Sequence, residues 1–335
     1  MMTILWESYR LLVAKKMFWV VLAISVLIAG TYASVGFVPE GISVLFGAHV
    51  IESELLNADS PVAEYVYLTV FTDMLVPFWL GLFALVLALI SVSSVFPDFL
   101  KGGSVDVAVS KPVSRVTLFL VKYLGCLLFV AIQVLIFCVI VFFAHGTRMG
   151  SWNYGIFWAV PLLTFVFSLI YCIAVLTAVW TRSTMFSLLM ALLVWGVTLG
   201  VQWGESMLYK FTYVLPSVGV SIDMEKGTSD LAPEAHDPDD GMVQFYQAVK
   251  TMGWPLPKTR EATYMLKKKI TVDGGNLTEM TRFLEAGASE REKREARAQE
   301  DYANRHSDAY VIGSSLVFEA CVLGLACFLF VRKDY

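Results

Sequence analysis

Apolar residues in this chain come in long unbroken blocks rather than at alternating positions. Six such blocks stand out: Met17 to Val38, Val66 to Phe96, Val116 to Ala144, Gly155 to Trp180, Met185 to Trp203 and Tyr310 to Val331. Each comes close to or exceeds the roughly 20 residues a helix needs to cross a hydrocarbon core. A backbone in lipid must satisfy its hydrogen bonds within the segment or around a closed barrel, and blocks of this length favour helices. The pattern therefore predicts an all-α polytopic membrane protein with six transmembrane helices. The first block begins only at residue 17 and is longer than the apolar core of a secretion signal, so it reads as a retained span. Ahead of it Leu5, Trp6, Tyr9, Leu12 and Val13 recur at helical spacing, with Glu7, Arg10 and Lys15 elsewhere around the wheel. That predicts an amphipathic interfacial helix over 1–16.

Polar stretches interrupt the blocks unevenly. The segment 204–309 holds more than half of the chain's 25 Lys and Arg and of its 29 Asp and Glu, and reads as a domain outside the membrane, followed by the sixth span and tail over 310–335. Its first part, with Pro216, Gly219, Gly227, Pro233, Pro238 and Gly241, reads as irregular chain. Met280, Phe283 and Leu284 then show helical spacing, Gly287 marks a break, and the charge-dense run from Ser289 to Arg305 reads as a solvated helix face. Orientation follows from Lys and Arg near the span ends. Arg10, Lys15, Lys16, Lys101, Lys111, Arg115, Arg182, Arg332 and Lys333 collect on one side, whereas the short loops of the other side offer only Arg148. Both termini are thus expected in the cytoplasm and the 204–309 domain on the extracytoplasmic side, since long loops translocate largely regardless of charge.

Composition sharpens this picture by exclusion. At 57% hydrophobic and 16% charged, the chain is too apolar for a soluble domain, and a net charge of −4 provides no basic field for nucleic acid. All five cysteines lie inside apolar blocks, where a thiol packs as a small hydrophobe. The four histidines are scattered without ligand spacing, so no metal site is expected. Asn276-Leu-Thr278 matches a glycosylation acceptor, but so short a match is common by chance.

Chemistry-bearing motifs are sparse. There is no phosphate-cradling loop, for Gly102-Gly103-Ser104 lacks both the spacing and the lysine, and no hydrolase or zinc-protease signature occurs. No catalytic residue and no cofactor are expected on this chain. Two acids do fall within apolar blocks, Asp73 in the second and Glu319 near the middle of the sixth. A charge at bilayer depth costs at least ~2.5 kcal/mol, so each should face the bundle interior, pair, or be protonated. Either would line a substrate path or serve as a hydrogen-bonded structural group.

The most informative stretch is the polar connector 98–115 between the second and third blocks. Gly102 and Gly103 end the second block's extension, Pro112 disfavours helix at Lys111, and Ser114 is placed to cap the third span. The run Gly103-Ser-Val-Asp-Val-Ala-Val-Ser-Lys-Pro-Val-Ser-Arg115, followed by Leu118-Phe-Leu-Val-Lys-Tyr-Leu-Gly125, resembles the signature of type-2 ABC exporter permeases. The closing Phe330-Val-Arg-Lys-Asp-Tyr335, the amphipathic start and the six spans are similar to that family too. Asp98 stands where the family more often has glutamate, and Ala108 and Val109 replace its usual leucine pair. The resemblance covers the membrane portion, roughly two thirds of the chain, and leaves 204–309 unmatched.

What the resemblance implies is mechanical. Such permeases pair with a second copy or a paralogue and dock separate cytoplasmic ATPase subunits, which bind ATP and Mg. By this likeness Gly103, Ser104, Lys111, Pro112, Ser114 and Arg115 couple ATPase closure to the spans in the cell inner membrane. Two other readings stand beside it: a non-transporting scaffold or sensor whose extracytoplasmic domain binds a partner, and an intramembrane enzyme or ion-coupled carrier resting on Asp73 and Glu319. The substrate is not legible, because similar spans serve many cargoes.

Overall fold

A computed structural model of the chain describes residues 16–53, 56–57, 61–100, 114–209, 222–223, 228–229, 241–253, 256–272, 275–276 and 305–332. The interfacial helix expected over 1–16 lies outside the described residues but for Lys16, as do Gly103, Ser104, Lys111 and Pro112 of the connector. Six helices are long and apolar enough to cross a membrane. They are α1 (Lys16–Ser34), α2 (Val62–Leu100), α3 (Arg115–Met149), α4 (Tyr154–Thr181), α5 (Thr184–Tyr209) and α8 (Asp308–Arg332). Among the described residues between α5 and α8 lie two shorter helices, α6 (Gly241–Gly253) and α7 (Thr259–Lys269). Each of the six expected blocks corresponds to one long helix, so this is a multi-pass membrane protein.

The helices pack around α4. Of its most apolar stretch 78% is buried, against 22% for α5 and for α8. It touches α3, α5 and α8 along its length and meets α2 as well. Phe167, Tyr171, Cys172, Ala174 and Val179 on α4 are all sealed from solvent. An all-round apolar helix is the kind that occupies such a position.

Local signals set the helix ends. Ser114 caps α3 by accepting from Thr117 N at 3.1 Å, and Gly150 ends that helix at φ 72°, a left-handed conformation that a residue without Cβ adopts at no steric cost. Asn153 opens the 3-10 turn that begins α4, accepting from Gly155 N at 3.0 Å. Within α2, Phe71–Ala84 is π-helical and contains Pro77. Proline lacks an amide proton and its ring crowds the carbonyl four residues back, here that of Asp73, and a wider turn relieves that crowding.

Three expectations need correcting. The first span stops at Ser34 rather than Val38, because Gly36–Val38 (β1) pairs with Gly41–Val44 (β2), which pairs in turn with His49–Glu52 (β3). This antiparallel meander, with Phe37 opposite Ile42 and Ile42 opposite Ile51, departs from an all-α fold. Gly41 sits at φ 144° with the Ile51 carbonyl so close that no side chain would fit. Two-residue ribbons also occur at Ile222–Asp223 with Thr228–Ser229 and at Thr271–Val272 with Gly275–Asn276. Finally, the fifth helix does not end at Trp203 but continues to Tyr209, carrying Glu205 in its last turns.

Glu205 is tolerated there because it is paired. Arg305, just ahead of α8, grips both of its oxygens and also donates to Glu261 Oε1 of α7 at 2.9 Å. His306 Nδ1 lies 3.2 Å from the Glu261 carboxylate, which can only accept, so that nitrogen carries the proton. Gln202 of α5 donates to Pro257 O at 2.8 Å and accepts from Arg260 N at 3.2 Å, and Ser315 of α8 accepts from Lys258 N at 3.1 Å. These bonds tie α7 to α5 and α8, and with its packing against α4 it forms a cap at what we call the far end, opposite the connector.

Replacing Arg305 by Met leaves Glu205 buried without its cation, so thermal unfolding in detergent is expected to register a loss of about 3 kcal/mol. The cap is also pH-sensitive. Burial holds His306 below its ordinary value of 6.5, with Arg305 and Lys258 acting in the same sense and Glu261 against them. Below that value the unfolded chain binds the proton more readily than the folded one, so stability is full above about pH 6.5 and declines as pH falls. Melting temperature is expected to drop between pH 7 and 5.5, with a shallower slope in His306→Gln.

Candidate functional site

At the connector end, the two expected coupling residues among the described ones fall on a joint between helices. Ser114 is the α3 cap, and Arg115 Nη1 donates to Val331 O of α8 at 3.2 Å. Beneath that bond lies an aromatic cluster. Phe330 of α8 packs against Phe119 of α3 at 5.6 Å and against Phe99 of α2 at 6.3 Å, and Phe96 meets Phe119 at 5.3 Å. The Lys122 ammonium sits 4.3 Å over the Phe99 ring. Whatever moves the chain leading into Arg115 therefore moves the ends of α2, α3 and α8 together.

Glu319 lies deeper in the bundle, where it accepts from Tyr123 Oη of α3 at 2.7 Å and from Ser168 Oγ of α4 at 3.0 Å. Tyr123 stacks on Tyr171 at 5.5 Å, and Tyr171 donates to Cys126 Sγ at 3.2 Å. Each oxygen of the carboxyl is thus matched with one hydroxyl, and the group ties α8 to α3 and α4. Asp73 stands elsewhere, half-buried on α2 in the π-helical stretch and accepting from Thr72 Oγ1 at 3.3 Å. The two acids named from the sequence thus have different partners, Glu319 on α3 and α4 and Asp73 beside Thr72 on α2.

Sequence reasoning passed over the far-end knot. Ser151 donates to Glu64 Oε1 at 2.6 Å, and His145 Nε2 lies 3.1 Å from Ser151 Oγ and 3.3 Å from Glu64 Oε1. Serine, histidine and glutamate together invite a hydrolase reading, yet the geometry opposes it. The single hydroxyl proton goes to Glu64, so Nε2 carries a proton towards the other two, and the basic nitrogen is Nδ1, which has no hydrogen-bond partner among the described residues. Nearby Tyr32 Oη donates to Tyr67 O at 2.9 Å and Tyr67 Oη to Tyr32 O at 3.3 Å, lacing α1 to α2. This is a polar clamp. Among the described residues no group of three or more His, Cys, Asp or Glu could hold a metal ion.

A second feature passed over lies on α5. Gly196, Gly200 and Gly204 recur every four residues, and a Cβ added to any of them would meet no atom within 4 Å. They share a face with Leu189, Leu193, Trp203 and Met207, all exposed. Small residues at that spacing let the backbones of two membrane helices approach closely. The spacing was visible in the sequence, and the structure adds that the three glycines have no neighbour within 4 Å of an added Cβ among the described residues.

Comparison with family models, with curated proteins and with solved structures finds no match.

The Glu319 arrangement makes an asymmetric prediction. Tyr123 Oη has the Ser168 carbonyl at 3.1 Å as a second acceptor, and Ser168 Oγ has the Phe165 carbonyl at 2.8 Å. Removing the carboxyl in Glu319→Leu leaves both hydroxyls bonded, whereas Tyr123→Phe with Ser168→Ala strands a buried carboxyl. Unfolding measurements are expected to find the double variant less stable than Glu319→Leu by ~2 kcal/mol or more. The reverse order would show that the carboxyl, not its donors, holds the three helices together.

Proposed function

We propose that this chain is the permease subunit of an ATP-driven exporter of the type-2 ABC class, resident in the cell inner membrane with both termini in the cytoplasm. It binds no cofactor itself; ATP and Mg belong to cytoplasmic ATPase partners. The observation that carries the reading is the Arg115–Val331 joint with its Phe99, Phe119 and Phe330 packing. A connector that ends on a joint of three helices is placed to turn a push from outside the membrane into helix movement. In the sequence that connector bears the Pro-x-Ser-Arg resemblance. The open glycine face of α5 supports pairing with a second copy or a paralogue.

The scaffold reading draws on the cap, whose bonds to α5 and α8 give a partner an ordered platform. One experiment separates the two. Full-length chain isolated from its native membrane is expected to bring with it a subunit containing a phosphate-binding loop, with ATP hydrolysis stimulated several-fold by the pair. Pro112→Ala with Arg115→Ala is expected to lower that stimulation at least fivefold without displacing the melting temperature by more than a few degrees, and Gly200→Leu to reduce the number of permease copies per complex. If no ATP-hydrolysing subunit accompanies the chain, or if the connector variant leaves its turnover untouched, the exporter reading fails.

A further inference from the structure

At the far end, an open cavity of about 510 Å³ lies between α1, α3 and the meander. Its wall on α3 runs from Val139 to Arg148, nine helical steps and so ~13 Å along the helix axis. Ile140, Phe143 and Thr147 line it, Ala33 closes one side and Phe46 stands over the mouth. Apart from Arg148 and Thr147 these are hydrocarbon surfaces. The cavity is apolar along the span and cationic where the span leaves the membrane.

Arg148 is held in place rather than free to wander. Its Nε donates to Ala33 O at 3.2 Å, satisfying a carbonyl at the end of α1, and its guanidinium lies 5.2 Å from the centre of the Phe46 ring. Gly36 makes room for the stem, since a Cβ there would come within 2.8 Å of Arg148 Cδ. Among the described residues no carboxylate pairs with this guanidinium, so its remaining N–H groups are available to an anion. Leu45 and Phe46 both adopt left-handed backbone, φ 54° and 58°, an arrangement that costs a non-glycine residue on the order of 1 kcal/mol each. That strained turn holds two large apolar side chains outward, and Val50 and Ile51 of β3 are exposed beside them. An apolar tip next to the end of a spanning helix belongs at the lipid boundary rather than in water.

We infer that this groove binds one anionic phospholipid of the leaflet at the far end, with its phosphate on Arg148 and an acyl chain along Phe143 and Ile140 under Phe46. The cation selects the headgroup, since arginine donates in parallel to phosphate oxygens, and the groove selects a chain-bearing molecule over a soluble phosphate. This site rests on its own geometry and stands or falls independently of any ATPase partner.

The test is native mass spectrometry of the full chain in a neutral detergent, titrated with phosphatidylglycerol or with phosphatidylcholine of the same acyl length. The wild type is expected to retain one phosphatidylglycerol at least tenfold more tightly than phosphatidylcholine, and millimolar inorganic phosphate is expected not to displace it. Arg148→Gln should abolish the preference and Arg148→Lys should restore part of it. Thr147→Trp fills the groove from an exposed position and should weaken retention of both lipids while leaving the melting temperature unchanged. Equal retention of the two lipids by the wild type, displacement by inorganic phosphate, or undiminished phosphatidylglycerol binding in Thr147→Trp would overturn the assignment.

Discussion

A helix buried along most of its length dictates the rest of this molecule. With 78% of its most apolar stretch enclosed, α4 serves as the surface on which α3, α5 and α8 are laid. Its neighbours are then left with their outer faces bare, which is why α5 and α8 are the least buried of the long helices. In lipid such faces carry no hydrophobic penalty, since the solvent is as apolar as the side chains. What holds the helices on α4 is close packing and a few hydrogen bonds. The Tyr123, Ser168 and Glu319 node is one of these inside the bundle, and it joins α3 and α8 to α4.

The node also shows how a lone acid survives at membrane depth. Neither a cation nor water is needed to explain Glu319, because two hydroxyls from different helices point at its two oxygens. Each hydroxyl has a backbone carbonyl to fall back on, so the burden runs one way: the carboxyl depends on the hydroxyls more than they depend on it. At the membrane boundary the same problem is solved differently. Glu205 and Glu261 share Arg305, and the longer helix α5 that results gives the cap its anchoring points.

Much of the architecture was readable from hydropathy alone, because a 20-residue apolar run has few other uses. Helix ends were less so. Nothing in Val35 to Val38 tells an apolar helix from a short strand; the choice was made by pairing with Gly41–Val44, a contact between segments. The continuation of α5 past Gly204 was hidden for a similar reason, since a Gly-Glu pair ordinarily marks the edge of a membrane and only the distant Arg305 makes it an interior. Of the named site residues, Ser114 acts as the cap that its position after Pro112 implied, and Glu319 faces inward as a buried acid must. The partners of Arg115 and Glu319, namely the Val331 carbonyl and the Tyr123 and Ser168 hydroxyls, gave no sign in the sequence of these contacts, which exist only once the fold brings them near.

The two ends of the bundle differ in a way that matters for movement. At the far end α1 and α2 are laced by Tyr32 and Tyr67, α2 is clamped to α3 through Glu64, Ser151 and His145, and the cap binds α5 to α8. At the connector end α2, α3 and α8 meet through aromatic packing, the Lys122 ammonium over the Phe99 ring and the Arg115–Val331 hydrogen bond. Ring packing holds its helices through buried area, whereas a buried hydrogen bond must break before its partners part. A force applied through the connector would thus reach α2, α3 and α8 at one joint, with the Glu319 node the next polar tie between α3 and α8 along the bundle. Under the exporter reading a push on that joint would meet the Tyr123 and Ser168 bonds to Glu319, whose strength would set how far α3 and α8 turn.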